Sequence, residues 1–558
     1  MLKQVIAGGL LIAAGSRAAP PSVASGTSFP VEIVVDASRR EGPVESIWRF
    51  FGADEPNYAT MKDGRTTLAT LGALLPDRVY FRTHNLLTSG DGTPAFKWGS
   101  TNAYTEDAAG RPVYDWTVVD RIFDTYRAAH LKPYVEIGFM PEALSTHPAP
   151  YQHDWRPGSG SLRTGWAYPP RDYVRWEELV FQWVRHCVDR YGRAEVASWY
   201  FETWNEANLP QYYWAGSPDE FFRLHDAAVR GVRRALPEAR VGGPDMAGAG
   251  DGFMGAFLDH VLAAGTPTDF LSFHAKGSPH VVADAAGGHI EMGIAAQLSA
   301  ADHEFAAIAA RPAFLGKPVI IGESDPEGCA ACQGPANTYR NGTMYSSYEA
   351  AVFPRMAELA RRRGVRLEGA LTWAFEFEDQ PPFAGFRQLT SAGIDLPVMN
   401  AFKLFAKMRG TWVADRSDHQ LDIDEVMRAG VRAKPDVGST ATLDGDTLSV
   451  LVWHYHDADV AGPEAAVHIR LQGLPPAFDR GVKLTEWRID RDHANAYAVW
   501  QQMGSPQAPS NEQRALLLRA AALEPAVTAM PLRVTAGRAI VTMTVPRQGI
   551  TLLMLQPS

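Results

Sequence analysis

About the first 370 residues alternate between short apolar runs typical of buried strands and longer segments whose apolar residues recur at helical spacing. One such helix carries Val119, Ile122, Phe123 and Tyr126 on a single face. Strands and helices that alternate in this way predict βαβ units and a parallel sheet. With an eighth strand near Phe50, the pattern predicts an α/β fold, a (β/α)8 TIM barrel over residues 41–411. The other predicted strands cover residues 79–82, 134–137, 199–203, 240–242, 270–273, 318–321 and 370–374.

Beyond about residue 412 the helical spacing gives way to a series of β-rich runs. The first of them is preceded by Asp444 and Gly445, a pair typical of a hairpin turn. This pattern predicts a C-terminal antiparallel β-sandwich over residues 412–558. Residues 31–35 are also β-rich, and no helical segment follows them, so residues 26–40 are expected to add an N-terminal strand to the same sandwich. The predicted C-terminal strands cover residues 447–453, 467–471, 484–489, 539–545 and 551–555.

The N-terminus carries Lys3 and then an apolar run over residues 5–14. This run is too short to span a bilayer and is typical of the apolar region of a signal peptide. Residues 1–25 are therefore interpreted as the signal peptide of an exported protein, periplasmic or secreted; a disordered tail and an uncleaved anchor are the alternatives. Since no other run reaches about eighteen apolar residues, the mature protein is expected to have no membrane partner.

Composition and charge exclude several classes of protein. The chain has 558 residues, of which 46% are apolar and 21% charged, which is ordinary for a globular protein and unlike a disordered or fibrous one. Lys and Arg total 53 against 63 Asp and Glu, so the net charge of −10 offers no electrostatic basis for a nucleic-acid partner. An uncharged or locally recognised substrate is expected instead.

Three cysteines are too few for a disulfide scaffold or a four-thiolate zinc site. Cys187 falls on the apolar face of a predicted helix and is expected in the core. Cys329 and Cys332 share one loop, where a local disulfide or two idle thiols are favoured over a redox pair or half of a metal site. The sequence shows no metal cluster, phosphate loop or dinucleotide fingerprint, so no metal and no cofactor is expected.

Two glutamates follow directly after predicted barrel strands, where the chemistry of such barrels takes place. Glu206 ends residues 201–206 (FETWNE), and Glu323 ends residues 318–323 (PVIIGE). Glu202 shares a strand face with Glu206, but it lies deeper in the barrel. Paired carboxylates at a barrel mouth suit glycoside hydrolysis, because one protonates the leaving oxygen while the other meets the anomeric carbon.

Polar and aromatic residues at other strand ends add to this candidate sugar site. His84 and His274 also follow predicted strands. Asn205 precedes Glu206 and is placed to hydrogen-bond the 2-hydroxyl of a sugar, and Trp373 is suited to stack on a sugar ring. Together they predict a pocket for a carbohydrate ring.

At these residues the chain resembles glycoside hydrolase family 39, which contains β-xylosidases and α-L-iduronidases and belongs to the retaining (β/α)8 clan. The likeness rests on residues 201–206 followed by 240–244 (RVGGP), and on two glutamates after strands four and seven. The resemblance implies that Glu206 is the acid/base and Glu323 the nucleophile. It also implies that Arg82, His84, Asn205 and His274 surround the sugar.

Two groups of segments resemble different members of that family. Residues 490–500 and 503–509 look like the sandwich domain of bacterial β-xylosidases, which the whole chain resembles most. Residues 273–277 (FHAKG) and 323–326 (ESDP) look more like α-L-iduronidases. In particular, β-xylosidases usually place a tyrosine where this chain has Lys276.

Lys276 decides between a neutral pentose and a uronic acid. Its ammonium would bind a substrate carboxylate, with Arg387 as a second donor, or it would pair with Glu323 or Glu378 and change the pKa of that glutamate. Glu378 belongs to the acidic cluster after Trp373, and the resemblance assigns it a contact with the sugar.

The predicted function is a retaining exo-glycosidase that releases terminal β-D-xylosyl residues from xylo-oligosaccharides by double displacement. One alternative is a glycosidase that acts on uronates, as α-L-iduronidases do, or on α-L-arabinosides. The other is a carbohydrate-binding barrel without hydrolysis. An oligosaccharide is the expected partner, and the sequence leaves the oligomeric state open.

Overall fold

The structure is a computed structural model that describes residues 28–156, 159, 161–248, 252–284 and 288–558. The interpreted signal peptide, residues 1–25, lies outside the described residues. The strands are β1 (Phe29–Pro43), β2 (Phe50–Ala53), β3 (Val79–Thr83), β4 (Tyr104–Glu106), β5 (Pro112–Tyr114), β6 (Leu131–Ile137), β7 (Tyr200–Thr203), β8 (Arg240–Met246), β9 (Phe270–Lys276), β10 (His280–Val282), β11 (His289–Glu291), β12 (Pro318–Asp325), β13 (Arg366–Ala370), β14 (Thr390–Ser391), β15 (Ile394–Asp395), β16 (Thr411–Ser417), β17 (Asp436–Asp444), β18 (Thr447–Tyr455), β19 (Ala465–Gln472), β20 (Val482–Ile489), β21 (Pro525–Leu532), β22 (Ala539–Val545) and β23 (Gly549–Pro557). The helices are α1 (Lys62–Leu74), α2 (Thr117–Ala128), α3 (Tyr173–Tyr191), α4 (Arg193–Val196), α5 (Pro218–Ala235), α6 (Phe253–Ala264), α7 (Ile294–Ala309), α8 (Thr343–Arg363), α9 (Pro397–Phe405), α10 (Ile423–Ala429), α11 (Ala496–Gln502) and α12 (Asn511–Ala521). Across these described ranges, no helix is both long enough and apolar enough to cross a membrane.

Eight parallel strands form the sheet that carries the candidate site, in the order β13, β12, β9, β8, β7, β6, β3, β2. Phe51 of β2 pairs in parallel with Thr372 just after β13, so the two ends of the sheet meet and close a barrel. This arrangement confirms the predicted α/β fold with a parallel eight-stranded barrel. The carboxyl ends of its strands therefore converge on one mouth.

The last barrel strand begins and ends four residues before the predicted segment 370–374. Leu367 pairs with Val319 of β12, which fixes the earlier register. The Trp373 N–H donates to the side chain of Asp325 in β12 (2.9 Å) rather than to a backbone carbonyl, so the backbone pairing of this strand has ended by Trp373. Because β13 (RLEGA) contains charged residues, it lacks the continuous apolar run by which a buried strand is recognised in the sequence.

A sheet of nine strands packs beside the barrel, in the order β21, β20, β23, β18, β17, β16, β1, β19, β22. Neighbours run antiparallel, except that β1 and β19 run parallel. Val31 of β1, Val541 of β22 and Leu555 of β23 belong to one buried core, so this sheet curls around its own apolar face. The predicted C-terminal β-structure is thus one continuous hydrogen-bonded sheet.

Cys329 and Cys332 form a disulfide in the loop after β12, which is one of the alternatives that the sequence leaves open. Arg340, later in the same loop, donates to the carbonyl oxygens of both residues, at 2.9 and 2.8 Å, and so holds this part of the loop together. Cys187 is a buried free thiol on α3, as expected from its helical spacing.

Candidate active site

Glu206 lies just beyond β7, in a turn whose backbone adopts unusual dihedral angles. Trp204 and Glu206 in this turn have φ values of 68° and 44°, and Asp245 in the adjacent β8 has a φ of 48°, a region that costs energy for residues with a Cβ. The Glu206 N–H donates to the Asp245 carbonyl (2.9 Å), which holds the turn against β8. The Glu206 side chain remains 13% exposed, so its carboxylate is accessible from the mouth of the barrel.

Glu323 lies within β12, and its side chain is almost fully buried. Its Oε2 accepts a hydrogen bond from Lys276 Nζ. Its Oε1 lies 3.7 Å from Arg82, 3.9 Å from His84 and 3.8 Å from His274. Burial raises the pKa of this carboxyl, but the charges of its neighbours, first His274 and then Lys276, hold the pKa well below its usual value. Glu323 is therefore ionised.

The two glutamates lie close together. One carboxylate oxygen of Glu206, one of Glu323 and a ring nitrogen of His274 all lie within 4.8 Å of one another. Retaining glycosidases keep their two carboxyl groups about 5 to 5.5 Å apart, whereas inverting enzymes need about 6.5 to 9.5 Å to admit a water molecule. The spacing therefore fits attack by a carboxylate rather than by water.

The same three side chains offer one ligand atom each to a metal ion. However, Lys276 and Arg82 already place two cationic groups against Glu323. Both would repel a divalent cation at this position. The charges around these donors therefore do not favour a metal.

His274 is buried between two carboxylates. Its Nδ1 lies 2.7 Å from Glu206 Oε1, and its Nε2 lies 2.8 Å from Asp245 Oδ2. Burial lowers the pKa of this imidazole, but Asp245 and Glu323 together raise it to about 10. Both ring nitrogens therefore carry hydrogen, and His274 donates to Glu206 and Asp245 at once.

A buried guanidinium, that of Arg82, connects the strands behind the site. It binds Glu202 (2.6 Å), Glu136 (2.9 Å) and Asp245. Glu202 is thus a carboxylate of the barrel interior, as its strand position predicts. Sequence reasoning missed Glu136 and Asp245; the available signal was an acidic residue near the end of an apolar strand.

Asn205 is fully buried beside Glu206. Its Oδ1 accepts from Arg82 (3.1 Å), which fixes the orientation of the amide. Its Nδ2 has no hydrogen-bond partner within the described ranges. Because an unpaired buried donor is costly, this amide is available to a ligand oxygen.

His84 and Trp373 form one wall of the site. Their ring centres are 4.4 Å apart, and the Arg82 guanidinium lies 5.0 Å from the Trp373 ring. Gly52 makes room for the indole, because a Cβ there would come within 2.4 Å of the ring. His84 Nδ1 lies 2.6 Å from Glu136, and burial together with Arg82 holds the pKa of His84 well below its usual value. The wall therefore combines a neutral imidazole with an indole.

The structure brings Lys276 to Glu323 rather than to Glu378. Its Nζ also lies 3.4 Å from Asp325, and only 16% of the Lys276 side chain is exposed. Burial lowers the pKa of the ammonium, but Glu323 and Asp325 raise it above its usual value. Lys276 is therefore a charged partner of the ionised glutamate.

Arg387 does not face the site as a free donor, contrary to the expected contact with a substrate carboxylate. Its side chain is buried, and it binds Asp325 (3.2 Å), Glu327 (3.0 Å) and the Trp373 carbonyl (2.9 Å). These contacts use all three guanidinium nitrogens. Arg387 instead braces the loop after β12 against the Trp373 segment.

Glu378 also differs from its expected role at the sugar. Its Oε1 accepts from the backbone N–H groups of Asp63 (2.8 Å) and Gly64 (2.9 Å), at the start of α1. Such N–H groups have no partner within the helix, and a carboxylate there is favoured by the helix dipole. The structure therefore makes Glu378 a helix cap.

The barrel and its paired carboxylates have counterparts among known proteins. Residues 31–538 match the family described as Glycosyl hydrolases family 39. The chain belongs to this family. The predicted resemblance is thus confirmed, and the protein is a glycoside hydrolase.

Relatives of two kinds match this family 39 hydrolase. It is 26% identical to a β-xylosidase from Geobacillus stearothermophilus, over 86% of this chain and 86% of that protein. It is 25% identical to an α-L-iduronidase from Homo sapiens, over 95% of this chain and 78% of that protein. Among solved structures, a monomeric β-xylosidase from Caulobacter crescentus has a TM-score of 0.74 at 24% identity, with 94% of this chain and 99% of that chain covered.

Proposed function

We propose that this family 39 hydrolase is a retaining exo-glycosidase that releases terminal β-D-xylosyl residues from xylo-oligosaccharides. The observation that carries the proposal is the approach of the Glu206 and Glu323 carboxylates to within 4.8 Å. That spacing suits a double displacement, in which one carboxylate is the nucleophile.

Each glutamate has its own part in the two steps. Glu323 attacks the anomeric carbon, while protonated Glu206 gives its proton to the departing oxygen. The sugar is then held as an ester of Glu323. Glu206, now a carboxylate, takes a proton from a water molecule that attacks the same carbon from the opposite face and releases Glu323. Two inversions leave the configuration of the sugar unchanged.

Charge pairing favours a neutral sugar over a uronate. The two cations considered for a substrate carboxylate are both paired within the chain: Lys276 with Glu323, and Arg387 with Asp325 and Glu327. A uronate would have to displace one of these carboxylates, or else lie beside their negative charge. Because relatives of both kinds match at similar identity, the choice of xylose rests on this charge argument.

A panel of aryl glycosides, assayed on one preparation, tests the proposal. Among a β-D-xyloside, an α-L-arabinoside, an α-L-iduronide and a β-D-glucuronide, the xyloside is expected to have the highest kcat/KM. Glu323→Gln protein purified in the same way controls for contaminating hydrolases. A higher kcat/KM for the iduronide, the glucuronide or the arabinoside would overturn the xylosyl assignment.

Lys276→Met is expected to move the acidic limb of the kcat/KM profile to higher pH. The ammonium is one of the charges that hold the pKa of Glu323 down, so its removal raises that pKa, and the attack needs the ionised form. If the natural substrate is a neutral sugar, the substitution should lower kcat/KM by similar factors for the xyloside and for the glucuronide. The measurement is a pair of pH profiles, with Lys483→Met, exposed on β20, as the control.

A loss confined to the glucuronide would contradict this account of Lys276. A charge-assisted hydrogen bond to a uronate contributes about 1.5 to 3 kcal/mol, or roughly 10- to 150-fold in kcat/KM. Such a selective loss, with an unmoved acidic limb on the xyloside, would instead assign the lysine to substrate binding.

A further inference from the structure

Tyr213 reaches the site from the loop between β7 and α5, and no sequence pattern marks it. Its ring lies 5.8 Å from that of His84 and stacks on Phe139 at 5.9 Å. The Trp204 indole N–H donates to the Tyr213 carbonyl (2.9 Å), which fixes the backbone of this residue. The ring is therefore held beside the imidazole that approaches Glu323.

The hydroxyl of Tyr213 has no hydrogen-bond partner in the part of the chain that the structure describes, although the side chain is half-buried. The carboxylates whose charges act on it are those of Asp54, Glu206, Glu323 and Glu136. Burial first, and then these charges, raise the pKa of Tyr213 well above its usual value. The group is therefore a neutral phenol that can donate a hydrogen bond.

Asp54 provides a matching acceptor on the same side of the site. Its Oδ1 lies 3.4 Å from His84 Nε2, and its Oδ2 accepts from Lys97 Nζ. A carboxylate has about four acceptor positions, so these contacts leave Asp54 able to accept another donor. His84 thus adjoins both the unpartnered phenol and a carboxylate with spare acceptor capacity.

We propose that Tyr213 determines specificity by donating a hydrogen bond to one hydroxyl of the terminal sugar, and that this sugar hydroxyl donates in turn to Asp54. The inference rests on the proposed function and deepens it, because it names a contact that selects the sugar. A chain of hydrogen bonds from phenol to hydroxyl to carboxylate is mutually strengthening. A sugar without that hydroxyl would leave the phenol of Tyr213 without an acceptor and the spare acceptor position of Asp54 without a donor, and its kcat/KM would be lower.

Tyr213→Phe tests the contact, because it removes the hydroxyl and keeps the ring that packs on Phe139. On the aryl glycoside that the wild type cleaves best, kcat/KM is expected to fall by about 10- to 100-fold. Tyr212→Phe, at the preceding and also half-buried tyrosine, is the matched control and should stay within about twofold of the wild type. Thermal unfolding of both variants should match that of the wild type.

Deoxy-glycosides separate a substrate contact from a structural role. When each ring hydroxyl of the sugar is removed in turn, wild type and Tyr213→Phe should differ on every analogue except one, on which their kcat/KM values are equal. The kcat/KM of Asp54→Asn should likewise equal that of the wild type on that same analogue. Undiminished activity of Tyr213→Phe, or an equal loss on every analogue, would overturn the inference. A wild type that prefers a uronate would refute the xylosyl assignment, yet the same comparison on that uronate would still decide the role of Tyr213.

Discussion

Replacing Glu323 by Ala is expected to lower kcat/KM for an aryl β-D-xyloside by at least roughly 10⁴-fold, because the covalent step then has no nucleophile. Added azide fits the vacated space and should restore part of the rate. It would attack the anomeric carbon from the face that Glu323 uses, so the product should be the α-xylosyl azide. Steady-state kinetics and NMR of the azide product measure both effects.

The control for Glu323→Ala is Glu238→Ala, which removes a surface carboxylate paired with Arg193. This variant should keep the wild-type rate, since exposed ion pairs contribute little to stability. A Glu323→Ala enzyme with more than about one-hundredth of the wild-type kcat/KM would contradict the nucleophile assignment. So would a β-xylosyl azide as its rescue product.

Replacing Glu206 by Ala should lower kcat/KM most for substrates whose leaving group must be protonated. We expect a loss of about 10²- to 10⁴-fold on xylosides with basic leaving groups, and a much smaller loss on nitrophenyl leaving groups. Azide should accelerate the second step by replacing the water that Glu206 activates. Because it attacks the Glu323 ester from the opposite face, the product should be the β-xylosyl azide.

A series of aryl xylosides with graded leaving-group pKa provides the measurement for Glu206→Ala. A steep dependence of kcat/KM on leaving-group pKa, absent from Glu238→Ala, is the expected result. An equal loss across the series, together with no effect of azide, would remove Glu206 from the acid/base role.

Much of the barrel could be predicted because its central strands are buried on both faces. The core of β12 reads as an unbroken apolar run in the sequence, and its strand-end glutamate stands out against it. The strands β2 and β13 are harder to recognise in the sequence. β2 has only four residues, and β13 alternates charged with apolar ones. This is why the last strand is predicted four residues too late.

The sequence predicts those residues of the candidate site that lie at the ends of barrel strands, but not the contacts that their side chains make. Strand ends indicate the two glutamates, but they do not tell which cations already have partners. In the sequence, Lys276 and Arg387 are both candidates for binding a substrate carboxylate. In the fold, Lys276 pairs with Glu323, whereas Arg387 pairs with Asp325 and Glu327. Glu378 is near Trp373 in sequence yet caps α1, and Tyr213 lies on a loop whose path no periodicity encodes.

Double displacement can be checked on the anomer of xylose that the enzyme releases first. Proton NMR of a fresh reaction on an aryl β-D-xyloside observes that sugar before it mutarotates. Because one carboxylate oxygen of Glu206 lies within 4.8 Å of one of Glu323, we expect β-xylose to accumulate first and α-xylose to follow only by mutarotation. The appearance of α-xylose first would contradict it, because a single inversion would mean that water, and not Glu323, attacks the anomeric carbon.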